Sequence, residues 1–185
     1  MAEYEIRYDV FLKGEHIDLV VLTEEIAEKS NWYNWFNDEE NMRNMQKHYF
    51  PNNREEQIMF FKTSILGNPK KLQLGILHKE ERKMIGVISL DGIDHLNKKC
   101  GINGVIGETK YKSIHYWLEA NRLLIHHAIN SLNMRKIYGG SLSKELSIFY
   151  ERMLGFESEG VLKQDVYKNG RFQDVYLFAF FVKDK

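Results

Sequence analysis

The sequence has one cysteine, two prolines and no excess of either charge: its 26 Lys and Arg residues balance 26 Asp and Glu residues over 185 positions. The lone Cys100 can form neither an internal disulfide nor a cysteine pair for a metal. Because nucleic acids and anionic membranes attract clustered basic surfaces, the zero net charge argues against both as partners. No apolar run approaches the roughly 18 residues of a membrane helix, and the N-terminus lacks a signal-peptide core. We therefore expect a cytoplasmic protein.

The composition is that of a folded globule, with 43% hydrophobic and 13% aromatic residues. A chain of this length buries about 70% of its unfolded surface, so it needs no covalent cross-links. The sequence has no internal repeat and no linker-like segment. We expect a single domain over residues 1–185.

The hydrophobic periodicity alternates between the strand and helix types and predicts an α/β (α+β) fold. The predicted elements, in chain order, are a strand at 17–22, helices between 24 and 65, a three-stranded antiparallel meander at 72–106, a long helix at 111–133, a strand at 136–140, a helix at 142–153 and a C-terminal hairpin. Asn169 and Gly170 suit the positive φ angles of a type I′ turn, which places the hairpin turn there. In the third meander strand, Gly101 and Gly104 indicate a bulge or the close approach of a ligand.

This order of elements resembles the GNAT superfamily of acyl-CoA-dependent N-acetyltransferases. Local sequence carries the resemblance in Gly101–Glu108 (GINGVIGE), Leu154–Phe156 (LGF) and Tyr167–Arg171 (YKNGR). The last of these is similar to a branch that contains ribosomal-protein N-terminal, spermidine and nucleotide-amino-sugar acetyltransferases. The front half, with Trp35–Asp38, looks most like the amino-sugar enzymes. The resemblance implies a mixed, mostly antiparallel sheet of about seven strands with helices on both faces.

The resemblance also implies the reaction: acetyl-CoA as cosubstrate, no metal, and transfer of the acetyl group to a primary amine. A nucleotide-linked amino sugar is the favoured small-molecule acceptor, because the basic front residues Arg43, Lys47 and Arg54 suit an anionic nucleotide better than a cationic polyamine. A protein N-terminus and a polyamine are the alternatives. Members of this family often form homodimers through the exposed edge of the hairpin, so the resemblance also implies a homodimer.

The cofactor would lie in two places if the chain follows the family. Val105, Ile106 and Gly107 fall at the strand end that splays away from its neighbour and admits the pantetheine arm. The pyrophosphate would lie at the start of the long helix, on Lys112, Ser113, Ile114, His115, Tyr116 and Trp117. His115 and Trp117 stand where the family has glycines, and their side chains are expected to crowd the amides. A second hypothesis is therefore a binding protein of this shape without acyl transfer.

Two side chains are candidates for catalysis under the same resemblance. Tyr150 would protonate the departing thiolate, provided that Met153 is a one-residue insertion; without it Glu151 takes the family's tyrosine position. His48 lies in the loop that covers the acceptor in the amino-sugar enzymes and would be a substrate contact or base. The alternatives are a packed core tyrosine and a solvated loop histidine, and Trp117 also suits the core.

The adjacent pair His126 and His127 is not predicted to bind a metal. Neighbouring helical residues point about 100° apart, and no cysteine or carboxylate completes a site. Gly101 stands where many family members carry a glutamate that relays the amine proton.

Overall fold

The computed structural model of the protein describes residues 6–46 and 50–183. Its centre is an eight-stranded sheet with the order β1-β2-β3-β4-β5-β6-β8-β7. The strands are β1 (Val10–Lys13), β2 (Ile17–Val21), β3 (Lys71–His78), β4 (Lys83–Asp94), β5 (Lys99–Ile106), β6 (Lys136–Ser141), β7 (Glu157–Lys168) and β8 (Arg171–Phe181). Neighbouring strands are antiparallel except for β5 and β6, which are parallel. The predicted mixed, mostly antiparallel sheet is confirmed, with β1 as an additional edge strand.

Six helices connect these strands in the described ranges. They are α1 (Glu24–Lys29), α2 (Trp32–Trp35), α3 (Glu39–Met42), α4 (Arg54–Phe60), α5 (Ile114–Asn130) and α6 (Lys144–Leu154). A π-helical turn at Phe61–Ile65 continues α4, and a short 3₁₀ turn at Thr109–Tyr111 precedes α5. Short polar residues begin most of these helices, because their side-chain oxygens accept hydrogen bonds from first-turn N–H groups. Ser113 does so for α5 and Ser143 for α6.

The two faces of the sheet bury different clusters. One face packs against α5 and α6 and contributes Ile88, Ile102 and Ile137 to the larger core. The opposite face packs against the front helices, where Val87 lies with Trp32 and Trp35. Side chains of successive strand residues point to opposite faces, so the face of each β4, β5 and β6 residue follows from these anchors.

The C-terminal hairpin turns where the sequence predicts. Asn169 has a φ of 52° and Gly170 a φ of 77°, which are the positive values that a type I′ turn requires. The hairpin is confirmed, and it places β8 between β6 and β7.

Candidate active site between β5 and β6

Strands β5 and β6 pair over only three residues and then separate. The parallel ladder joins Lys99 to Lys136, Cys100 to Ile137 and Gly101 to Tyr138. Beyond Gly101, β5 continues to Ile106 and stays paired with β4 alone. This confirms the predicted parting of the sheet: the second half of β5, which lines the gap between the two strands, has no strand partner on its β6 side.

The backbone alternation shows which β5 residues face this gap. Gly107 donates its N–H to the carbonyl of Ile85 on the β4 side, at 2.8 Å. In an antiparallel pair, alternate residues direct their N–H and C=O groups toward the partner strand. Val105 therefore faces β4, whereas the backbone groups of Ile106 and Gly104 face the gap. Gly104 was not among the predicted cofactor residues, although the sequence indicates a bulge or the close approach of a ligand at this glycine.

Gly107 directly follows the last residue of β5 and packs against Trp35. Its carbonyl accepts a 3.0 Å hydrogen bond from Asn41 Nδ2, and a Cβ at this position would overlap the Trp35 indole. The indole is held in turn by Glu108, which accepts from Trp35 Nε1 at 2.8 Å. A polar pocket of about 280 Å³ lies beside this strand end. Gly107 is thus committed to packing against Trp35, and its space is not open to a ligand on that side.

The wall of the gap on the α5 side is built from Trp117, Asn121 and Tyr150. The Trp117 ring lies over Gly104, where an added Cβ would come within 3.0 Å of its Cη2 atom. Asn121 is fully buried; it donates to the Trp117 carbonyl at 2.8 Å and accepts from the Tyr150 hydroxyl at 3.1 Å. These contacts bring the two predicted residues Trp117 and Tyr150 together. The connecting Asn121 was missed, although an asparagine on the apolar face of a long helix was a readable signal.

Tyr150, and not Glu151, faces the sheet. Its ring is 3% exposed and stacks on Phe178, with ring centres 4.5 Å apart. Burial raises the pKa of the Tyr150 phenol well above its ordinary value, while the nearby Trp117 and Asn121 offset part of the increase. The Trp117 indole N–H is close enough to act on the phenol, yet it is buried and outside hydrogen-bond geometry with any described partner. The phenol therefore carries its proton at neutral pH, as an acid must.

The start of α5 presents a mixed set of groups. Ser113 accepts from the His115 N–H at 3.2 Å, and the His115 side chain is exposed. Lys112 forms a 3.1 Å ion pair with Glu40. The Tyr116 side chain points toward β3, where its hydroxyl forms a 3.1 Å hydrogen bond with His78 Nε2. Ile114 is 51% exposed. The start of α5 thus exposes the His115 side chain, and the Lys112 ammonium beside it already has Glu40 as an ionic partner.

The residues predicted to face the acceptor lie partly outside the described ranges. His48 and Lys47 lie outside the described residues. Arg43 is exposed after α3. Arg54 bonds to the Glu28 carbonyl and lies 4.6 Å from the centre of the Tyr33 ring. Arg43 and Arg54 are thus both exposed, and the contacts of Arg54 show that it supports the front helices.

Within residues 6–46 and 50–183, no group of three or more His, Cys, Asp or Glu side chains is arranged to hold a metal. His127 packs edge-on against Phe11, with ring centres 5.0 Å apart, and burial lowers its pKa. Across the same ranges, no helix has the length and apolar character needed to cross a bilayer.

The parted sheet, the long helix α5 that begins shortly after β5, and the buried Tyr150 phenol are the arrangement expected of an acyltransferase. The comparison with family models supports this class: the acetyltransferase (GNAT) domain matches residues 19–145. The chain belongs to the GNAT acetyltransferase family.

Solved structures give the same fold over nearly the whole chain. The microcin C7 self-immunity acetyltransferase MccE, in complex with acetyl-CoA and AMP, is 25% identical with a TM-score of 0.76, covering 91% of this chain and 93% of that one. Spermidine N-acetyltransferase from Vibrio cholerae, with CoA and spermine, is 17% identical with a TM-score of 0.79, covering 90% and 95%. RimL, a ribosomal L7/L12 α-N-protein acetyltransferase bound to coenzyme A, is 17% identical with a TM-score of 0.80, covering 94% and 98%. A search of curated proteins finds no match.

Proposed function

We propose that this protein transfers the acetyl group of acetyl-CoA to a primary amine, with a nucleotide-linked amino sugar as the acceptor. The observation that carries the proposal is the gap beyond the Gly101–Tyr138 pair, where the backbone of β5 is left without a strand partner. An extended thioester arm would hydrogen-bond to the gap-facing groups of Gly104 and Ile106, as an added strand does. Lys112 and the N-terminus of α5 would hold the pyrophosphate.

The reaction needs positioning and proton transfer, and no protein nucleophile. The amine nitrogen attacks the thioester carbonyl, the C–N bond forms, and the C–S bond of the tetrahedral intermediate breaks. Tyr150 donates its proton to the departing thiolate and is reprotonated from solvent, while the amine nitrogen gives up its proton to His48 or to water. For this step the Tyr150 O–H turns from Asn121 toward the gap. His48 remains a proposed contact or base on the acceptor side.

A nucleotide-linked acceptor is supported by two observations. Arg43 is exposed near the front loop and offers a cation to a phosphate. The similar MccE structure contains AMP together with acetyl-CoA. We also propose a cytoplasmic location, because the single buried thiol suits a reducing compartment. A homodimer through the exposed hairpin edge is proposed on the family resemblance.

A panel of amines, read by release of free CoA thiol, tests the acceptor. The panel contains a UDP-linked amino sugar, glucosamine, spermidine and a peptide with a free N-terminal serine. We expect the highest kcat/KM for the UDP-linked sugar, at least tenfold above glucosamine, since the nucleotide adds binding contacts. Preference for spermidine or for the peptide would overturn the acceptor assignment and leave acetyl transfer in place.

Calorimetric titration of Lys112→Met tests the pyrophosphate site. We expect acetyl-CoA to bind about 3–10 times more weakly than to the wild type, because one charge-assisted hydrogen bond is lost. Acetyl-pantetheine, which carries the same thioester without the pyrophosphate, should bind both proteins equally.

Lys163→Met is the matched control, because Lys163 pairs with Asp174 at 2.7 Å on the distant hairpin. Its acetyl-CoA affinity should equal that of the wild type. If the wild type itself gives no heat with acetyl-CoA at high protein concentration, the loop is closed to the cofactor and the hypothesis of a non-catalytic binding protein replaces ours.

A further inference from the structure

A polar patch lies on the sheet face opposite α5 and α6, next to the gap. The patch consists of two rows of paired residues. The first row contains Gln73, Ser89 and Asn103, on β3, β4 and β5. The second row runs from β3 to β6 and contains Lys71, Asp91, Gly101 and Tyr138. The neighbouring row on this face contains the apolar Val87 and Val105, which pack with the front helices. Polar side chains in the middle of a sheet are unusual, because burying a polar group costs free energy unless it forms hydrogen bonds.

Asp91 is the centre of this central polar patch. One carboxylate oxygen accepts from Lys71 Nζ, and the other accepts from Ser89 Oγ at 2.6 Å and from Asn103 Nδ2 at 3.1 Å. An ionised carboxylate offers about four acceptor sites, so one is left. The Asp91 side chain is 31% exposed, and Asn103 is exposed as well. The remaining site is thus reachable from solvent.

The charge state of Asp91 suits a cationic ligand. Burial raises the pKa of the carboxyl, but the hydrogen bonds from Lys71 and Ser89 outweigh burial and hold the pKa below its usual range. Asp91 is therefore ionised at neutral pH. In the same patch the side-chain amide oxygen of Gln73, Oε1, is buried and accepts no hydrogen bond from the described residues. The patch therefore has more hydrogen-bond acceptor positions than donors among the described residues. An ammonium group supplies the missing donors.

The position of Asp91 relates it directly to the gap. It pairs with Gly101, the last residue of β5 that is joined to β6. Gly101 has no side chain to cover the carboxylate, and an added Cβ would lie 3.4 Å from the Tyr138 ring. Asn103 is the next residue on this face and directly precedes Gly104. Asp91 thus stands at the mouth of the gap, on the side opposite the helix that would hold the pyrophosphate.

We propose that Asp91 binds the ammonium group of the acceptor amine and holds its nitrogen at the mouth of the gap. This inference rests on the proposed function, since it requires the thioester to occupy the gap. Lys71, Ser89 and Asn103 fix the carboxylate in one orientation, and Lys71 keeps it ionised. The site favours a primary ammonium over a hydroxyl group of the same shape, because the ammonium adds a positive charge to the hydrogen bond that a neutral hydroxyl would also donate to the carboxylate.

The test is steady-state kinetics of Asp91→Asn with the best amine of the panel above. Asparagine keeps the size of the side chain and removes its charge. We expect KM for the amine to rise at least tenfold, while KM for acetyl-CoA changes less than twofold. Asp94→Asn is the matched control on the same strand, because Asp94 bonds only locally, to Asn97 at 2.7 Å. It should leave both constants unchanged.

A second measurement keeps the proposal testable if Asp91→Asn does not fold. With the wild type, the alcohol that carries a hydroxyl in place of the reacting amine should inhibit at least tenfold more weakly than the amine binds. Equal binding of alcohol and amine, or an unchanged amine KM in a folded Asp91→Asn, overturns the role of Asp91 and leaves acetyl transfer standing. If the wild type binds acetyl-CoA but acetylates none of the amines, both proposals fail.

Discussion

Replacement of Trp117 by glycine is expected to lower the free energy of unfolding by about 3–5 kcal/mol, the range for deleting a large aromatic from a core. Glycine is what the family pattern has at this position, so a sequence comparison alone would expect the change to be mild. The structure gives the opposite expectation, because the Trp117 ring packs over Gly104 and lies, partly buried, against the larger core. Urea denaturation of the purified variant measures the difference.

Two matched variants separate packing from backbone effects. His115→Gly changes an exposed side chain in the same helical turn and should cost only about 1 kcal/mol, the usual penalty for glycine in a helix. Trp117→Phe should be milder than Trp117→Gly, since it keeps an aromatic ring and removes an indole N–H that has no described partner. If Trp117→Gly is as stable as the wild type and binds acetyl-CoA more than tenfold more tightly, the indole blocks the cofactor and does not support the core.

Tyr150→Phe is expected to reduce kcat by about 10²-fold or more, the contribution typical of a positioned general acid. Phenylalanine keeps the stacking on Phe178, so the fold should be retained. The variant leaves Asn121 Oδ1 without its donor, which accounts for a stability loss of about 1–3 kcal/mol. Measurements of kcat and of thermal unfolding on the same samples therefore distinguish catalysis from folding.

Tyr167→Phe is the matched control for this loss, because Tyr167 lies 57% exposed on the hairpin, away from the gap. Its kcat should equal that of the wild type. The pH profile gives a further check: because the pKa of Tyr150 is raised, wild-type kcat should not fall through loss of the phenol proton below about pH 10, the ordinary tyrosine value. If Tyr150→Phe retains wild-type kcat, the phenol is a core residue only.

The sequence predicted those parts of the fold that depend on local chemistry. Asn169 and Gly170 specified the hairpin turn, and the apolar face of α5 specified its packing against the sheet. Edge strand β1 was not predicted, because its four residues are mostly exposed and carry no alternating pattern. The separation of β5 from β6 followed only from the family resemblance, since no local property of Val105 or Ile106 encodes a missing neighbour.

The candidate site was less accessible to sequence reasoning because it depends on register. Asp91 lies near Asn103 only because β4 and β5 pair in one alignment, and a shift of one residue would put them on opposite faces. The choice between Tyr150 and Glu151 likewise needed the rotation of α6 relative to the sheet. Asn121 could have been found earlier, as a polar residue between Trp117 and Leu124 on a buried helical face.

The sheet has two halves, β1–β5 and β6–β8, which are joined only by the three residue pairs between β5 and β6. A molecule that binds between the two strands beyond Gly101 and Tyr138 breaks no interstrand hydrogen bond. Its binding therefore does not include the free-energy cost of separating paired strands. Each half of the sheet has its own helix: α5 packs on β1, β2 and β4, α6 packs on β6, β7 and β8, and the two helices contact each other. The opening is therefore preformed in the backbone, and changes to the helices, more than changes to the strands, would alter its width.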